Sequence, residues 1–117
     1  MVRVLVCGDR HWNDKDAIRR ELKLIPDIEL IIEGGAPGAD TLAKEVADEL
    51  NIPVLEFRAE WDKHGKAAGP IRNRKMLVEG RPDLVLAFHD DISKSKGTKD
   101  MINQARAFGV PVRIIEV

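Results

Sequence analysis

Three stretches of this chain gather residues that bind anions. They are Glu33-Gly34-Gly35-Ala36-Pro37-Gly38-Ala39-Asp40, Gly69-Pro70-Ile71-Arg72-Asn73-Arg74-Lys75-Met76, and Lys96-Gly97-Thr98. The first follows the apolar run Ile28 to Ile32 and precedes Thr41 to Leu50, whose apolar positions fall at helical spacing. Strand, glycine-rich turn and helix in that order bring backbone N–H groups and a positive helix end to one spot, which suits a phosphate. Glycines there permit positive φ and a close approach by a ligand. They also suit a tight turn with no ligand at all.

The other two stretches supply charge. Arg72 and Arg74 lie within about one helical turn, and one of them is expected to face a pocket while the other is solvated. Sequence leaves open which. At Lys96-Gly97-Thr98, the Thr98 hydroxyl and neighbouring N–H groups can bind phosphate oxygens or cap a helix. Near the amino terminus, Gly8-Asp9-Arg10-His11-Trp12 interrupts an apolar run. There Arg10 can hold a phosphate bidentately and Trp12 can stack on a base, or Trp12 can pack over the sheet edge with Arg10 paired to Asp9. Asp9, Glu33, Asp40, His64, Asp90, Asp91 and Asp100 are candidate general bases or ribose-hydroxyl acceptors. Cys7, the single cysteine, sits in an apolar run and reads as a buried thiol. The three histidines are scattered without metal-ligand spacing, and no cofactor is assigned.

The elements that must position these residues alternate. Strands are expected at Val2 to Val6, Ile28 to Ile32, Ile52 to Phe57, Leu84 to Phe88 and Val110 to Val117. Between the first two, Asn13 or Asp14 caps a helix with Ile18, Leu22 and Ile25 on one face, closed by Pro26. Ala39, Leu42, Ala43, Val46, Ala47 and Leu50 form the stripe of the next helix. Arg58 to Gly69 is the longest polar connection. A helix follows with Pro70 in its first turn and Gly80 at its end. The last helix starts near Gly97, turns Met101, Ile102, Ala105 and Phe108 inward, and stops at Gly109. Such alternation predicts an α/β, Rossmann-like three-layer domain over residues 1–117, with a five-stranded parallel sheet in the order 3-2-1-4-5. Ligands in such sheets bind at the carboxyl ends of strands where the order reverses. The loops beginning at Gly8, Gly34 and His89 meet at that point.

Composition sets the class. The chain has 117 residues, 44% hydrophobic and 33% charged, with a formal net charge of −1. That balance fits one globular domain and advertises no broad basic surface for duplex DNA. The longest apolar runs are too short for a membrane span or signal peptide, and the expected setting is a reducing cytoplasm.

Taken together, Val6 to Trp12, Glu33 to Asp40, Gly69 to Met76 and Lys96-Gly97-Thr98-Lys99-Asp100-Met101 resemble the YspA/YpsA-related branch of the SLOG superfamily. That Rossmann-like group includes the LOG phosphoribohydrolases and DprA. The resemblance implies a nucleotide or nucleotide-derivative (ADP-ribose-like) pocket lined by Gly8, Asp9, Arg10, Trp12, Gly34, Gly35, Ala36, Gly38, Ala39, Asp40, Arg72, Asn73, Arg74, Lys96, Gly97 and Thr98. It makes a sensor or sequestering module the first expectation. A nucleoside-monophosphate N-glycosidic hydrolase using Asp9, Glu33 or Asp100 is the second, and a DprA-like single-strand binder the third. LOG enzymes carry Gly-Thr-x-x-Glu, whose glutamate serves in cleaving the base–ribose bond. This chain has Met101 there, and Asp100 points about 100° away along the helix. LOG relatives also form dimers, for which faces near Ile71 and Met76 are available by analogy.

Overall fold

Valine, leucine and isoleucine fill the strands, so each central strand is buried on both faces. In the computed structural model, which describes residues 1–116, these are β1 (Val2–Gly8), β2 (Ile28–Glu33), β3 (Val54–Glu56), β4 (Leu84–Phe88) and β5 (Val112–Ile115). They form one parallel sheet in the order β3-β2-β1-β4-β5, as the alternation predicts. Val117, the end of the fifth strand expected from sequence, lies outside the described residues. Five helices connect the strands: α1 (Lys15–Lys23), α2 (Ala39–Glu49), α3 (Trp61–His64), α4 (Ala68–Gly80) and α5 (Gly97–Ala107).

Alternate residues of β1 feed two cores. Val4 and Val6 pack with Ile18, Leu22 and Val46 of α1 and α2, while Leu5 and Cys7 pack with Met76, Leu77, Met101 and Ile102 of α4 and α5. Asp14 starts α1 by accepting the Ala17 N–H at 3.0 Å, which meets one of the helix's orphan donors.

Several expectations need correction. The third strand is shorter than Ile52 to Phe57, because it is an edge strand paired only with β2. Pro53 contributes its carbonyl to Ile31 but has no N–H for the ladder. Arg58 to Gly69 is not an open loop, for it holds α3 and a following 3₁₀ turn, Gly65–Ala67. Helix α4 does end at Gly80, as expected, with Arg81 (φ 49°) as its left-handed cap. Phe108 does not turn inward. It is exposed beyond the end of α5, with the Arg74 guanidinium 5.7 Å above its ring.

Candidate ligand site

The loops after β1, β2 and β4 enclose, together with the starts of α4 and α5, a cavity of about 720 Å³. That volume lies within the range of small-molecule sites. Its walls carry Arg10, Arg58, Arg72, Lys94 and Lys96 against the carboxylates of Asp9 and Asp40.

The floor is the glycine turn, and its amide groups are already engaged. Asp40, 6% exposed, accepts the Gly34 N–H at 3.0 Å and the Ala36 N–H at 3.3 Å. Glu33 Oε1 accepts the Gly35 N–H at 2.6 Å. Three successive N–H groups that a phosphate would use are thus held by the chain's own carboxylates. Burial, partly offset by these N–H groups and Arg72, pushes Asp40 up to about 6. Asp40 is therefore largely ionised at neutral pH.

Glu33 behaves differently. It is fully buried, and among the described residues no ordinary donor reaches its Oε2. Glu56 stands in register with it on β3. Burial first, and then the Glu56 contact, pushes Glu33 up to about 8, whereas Glu56 is held below the usual carboxylate range by Glu33 and then by Arg58. Burial and the neighbouring Glu56 carboxylate thus both favour the protonated form of Glu33. Arg58 Nε donates to Glu56 from the other side at 2.8 Å.

Arg72 reaches the same floor from α4. Its Nη1 donates to the Gly34 carbonyl at 2.6 Å and its Nε to Asn73 Oδ1 at 3.0 Å. A Cβ at Gly34 would land on that guanidinium, so this glycine leaves room for an arginine. Asn73, 3% exposed, donates to the Gly97 carbonyl at 3.3 Å and to Asp100 Oδ2 at 3.0 Å. Gln104 donates to the same Asp100 oxygen at 2.8 Å. This network locks α4 to α5 at the cavity's edge.

The wall after β4 is built by local hydrogen bonds. His89 Nδ1 accepts the Asp91 N–H at 3.0 Å, and Ser95 Oγ accepts the Thr98 N–H at 2.9 Å. Ser95, not Thr98, therefore caps α5. Space beside Gly97 is open, with nothing within 4 Å of where its Cβ would stand.

Of the residues named from sequence, Gly8, Asp9, Arg10, Gly34, Gly35, Ala36, Asp40, Arg72, Asn73, Lys96, Gly97 and Thr98 are brought together around the cavity. Trp12, Gly38, Ala39 and Arg74 are not. Trp12 is in the core, 5.6 Å from the Phe88 ring, with Nε1 donating to the Asp14 carbonyl. Gly38 (φ 78°) packs on the Asp9 and Arg10 backbone, and Ala39 is fully buried with its N–H donating to the Asp9 carbonyl. Arg74 covers Phe108. Among the carboxylates suggested as general bases, Asp9 and Asp40 line the cavity. Glu33 lies in the sheet and Asp100 in the α4–α5 network. Met101 does line it, with no exposed surface.

Arg58, Trp61, His89 and Lys94 line the cavity and were not singled out from sequence. The usable signal was the cluster of aromatic and basic residues between Arg58 and Gly69. Cys7 also touches the cavity, but burial above all, and then Asp40, raises its thiol far above the usual range. It is a poor nucleophile there. Among the described residues no group of three or more His, Cys, Asp or Glu side chains is placed to hold a metal, and no helix is long and apolar enough to cross a membrane.

A family model described as the YspA, cpYpsA-related SLOG family (YAcAr) matches residues 2–64, a stretch that ends before α4. The chain is 37% identical to the Gene 61 protein of Mycobacterium phage D29 over 121 residues, covering 96% of this chain and 94% of that one. Its fold is similar to that of DNA processing protein A (DprA) from Streptococcus pneumoniae in an X-ray structure, with a TM-score of 0.80 at 18% identity. The match covers 100% of this chain and 51% of the DprA chain, so this chain spans about half of that neighbour's length.

Proposed function

This chain belongs to the YspA, cpYpsA-related SLOG family, and from that premise we propose that it binds a nucleotide or nucleotide-derived, ADP-ribose-like ligand at the carboxyl ends of the central strands. It acts on this reading as a sensor or sequestering module. The observation that carries the proposal is the cavity at the reversal of strand order, where five lysine and arginine side chains face two carboxylates. An anion of nucleotide size satisfies that imbalance. Because Asp40 and Glu33 occupy the glycine-turn amides, the phosphate is gripped by side chains, chiefly Arg10, Lys94 and Lys96. The start of α5 at Gly97 and Thr98 assists them. Asp9 suits the ribose hydroxyls.

Of the three carboxylates considered for N-glycosidic hydrolysis, Glu33 and Asp100 stand outside the cavity, which favours binding. Asp100 is engaged by Asn73 and Gln104, Glu33 is buried away from the cavity, and a thioether stands at Met101. Calorimetric titration with AMP and ADP-ribose beside adenosine tests the proposal. The phosphorylated compounds are expected to bind and adenosine to bind at least tenfold more weakly. Equal affinity for adenosine and AMP would overturn the phosphate assignment. Base released from AMP, seen by chromatography, would replace a binding module with a hydrolase. Tighter, salt-sensitive binding of a single-stranded oligonucleotide would replace it with a nucleic-acid binder.

A further inference from the structure

We infer that Trp61 is the platform on which the base of the bound ligand stacks. The inference rests on the proposed nucleotide reading and names the part of the site that takes the base. The chain has two tryptophans, three phenylalanines and no tyrosine. Trp12 and Phe88 are buried against one another, Phe57 packs on the core, and Phe108 lies beneath Arg74. Trp61 alone of these rings lines the cavity, and it does so while 60% exposed. An exposed indole on a cavity wall offers a flat apolar surface whose covering by a base is favourable.

Its placement suits a base. Trp61 opens α3, on the connection that follows β3, whereas Lys94 to Thr98 follow β4. Those two strands flank the β2–β1 pair, so the indole and the basic wall come from opposite sides of the same cleft. The ring is seated on α4, its Cη2 3.5 Å from where a Cβ of Gly69 would stand. One edge is thereby supported while a face stays available. Stacking of this kind tolerates any base, because every base has a π face. His11, exposed and on the same cavity, is the rival platform and serves as the control.

The test is titration of the wild type, Trp61→Leu, Trp61→Phe and His11→Ala with AMP and with ribose 5-phosphate, which lacks the base. The wild type is expected to prefer AMP. Trp61→Leu should lose roughly 5- to 150-fold in AMP affinity with ribose 5-phosphate unchanged, and Trp61→Phe should keep part of the preference. AMP, but not ribose 5-phosphate, should quench the red-shifted emission of the exposed indole in the wild type. Should Trp61→Leu retain the wild-type ratio of the two affinities, or His11→Ala abolish it instead, the inference is overturned while the nucleotide reading stands. A wild type that binds neither compound overturns that reading, and the platform with it. If Trp61→Leu melts early, quenching in the wild type and the Trp61→Phe ratio still decide.

Discussion

Arg72 donates from Nη1 to the Gly34 carbonyl at 2.6 Å, joining two segments 38 positions apart. The guanidinium therefore serves the fold and the cavity together. Removing it leaves a part-buried carbonyl without its charged donor, a loss of roughly 1.5–3 kcal/mol. Arg72→Ala is expected to lower the melting temperature and weaken AMP binding about tenfold or more. Arg72→Lys should rescue little, since an ammonium cannot make both of the bonds that the fork makes. Arg74→Ala removes only a surface contact with Phe108, worth about 0.5–1 kcal/mol, and should leave the preference for phosphate intact. Thermal melts beside titrations with AMP and adenosine check all three.

Glycines of the site divide into two kinds. At Gly38 the backbone has φ 78°, and a side chain would drive into the Asp9 and Arg10 carbonyls. Gly38→Val should cost at least about 1–3 kcal/mol in stability and lose binding with it. Gly97 has open space and no positive φ. Gly97→Val should leave the melt within a few degrees while obstructing the ligand. If Gly97→Val binds AMP normally, the α5 start is not a ligand contact.

The Glu33 acid gives a signed dependence on pH. Its folded pKa of about 8 lies above the ordinary 4.5, so between those values the folded chain holds a proton that the unfolded chain releases. Stability from this group is full below about pH 4.5, falls as pH rises, and levels off above about 8. Asp40 adds a decline of the same sign between 3.8 and about 6. Glu33→Gln, which keeps a donor without the titration, should flatten the melting curve between pH 6 and 9 and raise stability at the upper end. An unchanged decline in that variant would mean that Glu33 is already ionised in the fold.

Asn73 is the joint between α4 and α5. Asn73→Asp places a second carboxylate against Asp100 and turns two donated bonds into repulsion. A loss of about 2–4 kcal/mol is expected near neutral pH, partly recovered in acid as the pair takes up a proton. Chemical denaturation at pH 5 and pH 7.5 measures both.

Much of this was legible in sequence where the signal is local. Short valine- and leucine-rich runs separated by helix-spaced stripes settle five strands, and the right-handed crossover rule then settles their order. Gly8, Gly34 and Lys96 meet because that order puts their loops at one end. Side-chain direction was less legible. Trp12 sits four residues beyond Gly8, yet its partner is Phe88, 76 positions away on β4, and no local pattern announces that contact. Phe108 fits the apolar stripe of α5, but the helix ends at Ala107 and leaves the ring to Arg74. Trp61 lies in a four-residue helix too short to show a period. Nor does sequence tell that Asp40 and Glu33 fill the amides of the glycine turn, since that depends on burial and on a register between strands.

The occupied glycine turn has a kinetic consequence. Gly34, Gly35 and Ala36 are held in place before any ligand arrives, so association does not wait for this floor to order. Capture is then governed by encounter with the charged rim, and electrostatic attraction of that kind is slowed by added salt. Release depends instead on breaking short-range contacts deep in the cleft. Residence time should accordingly change far less with ionic strength than the rate of capture.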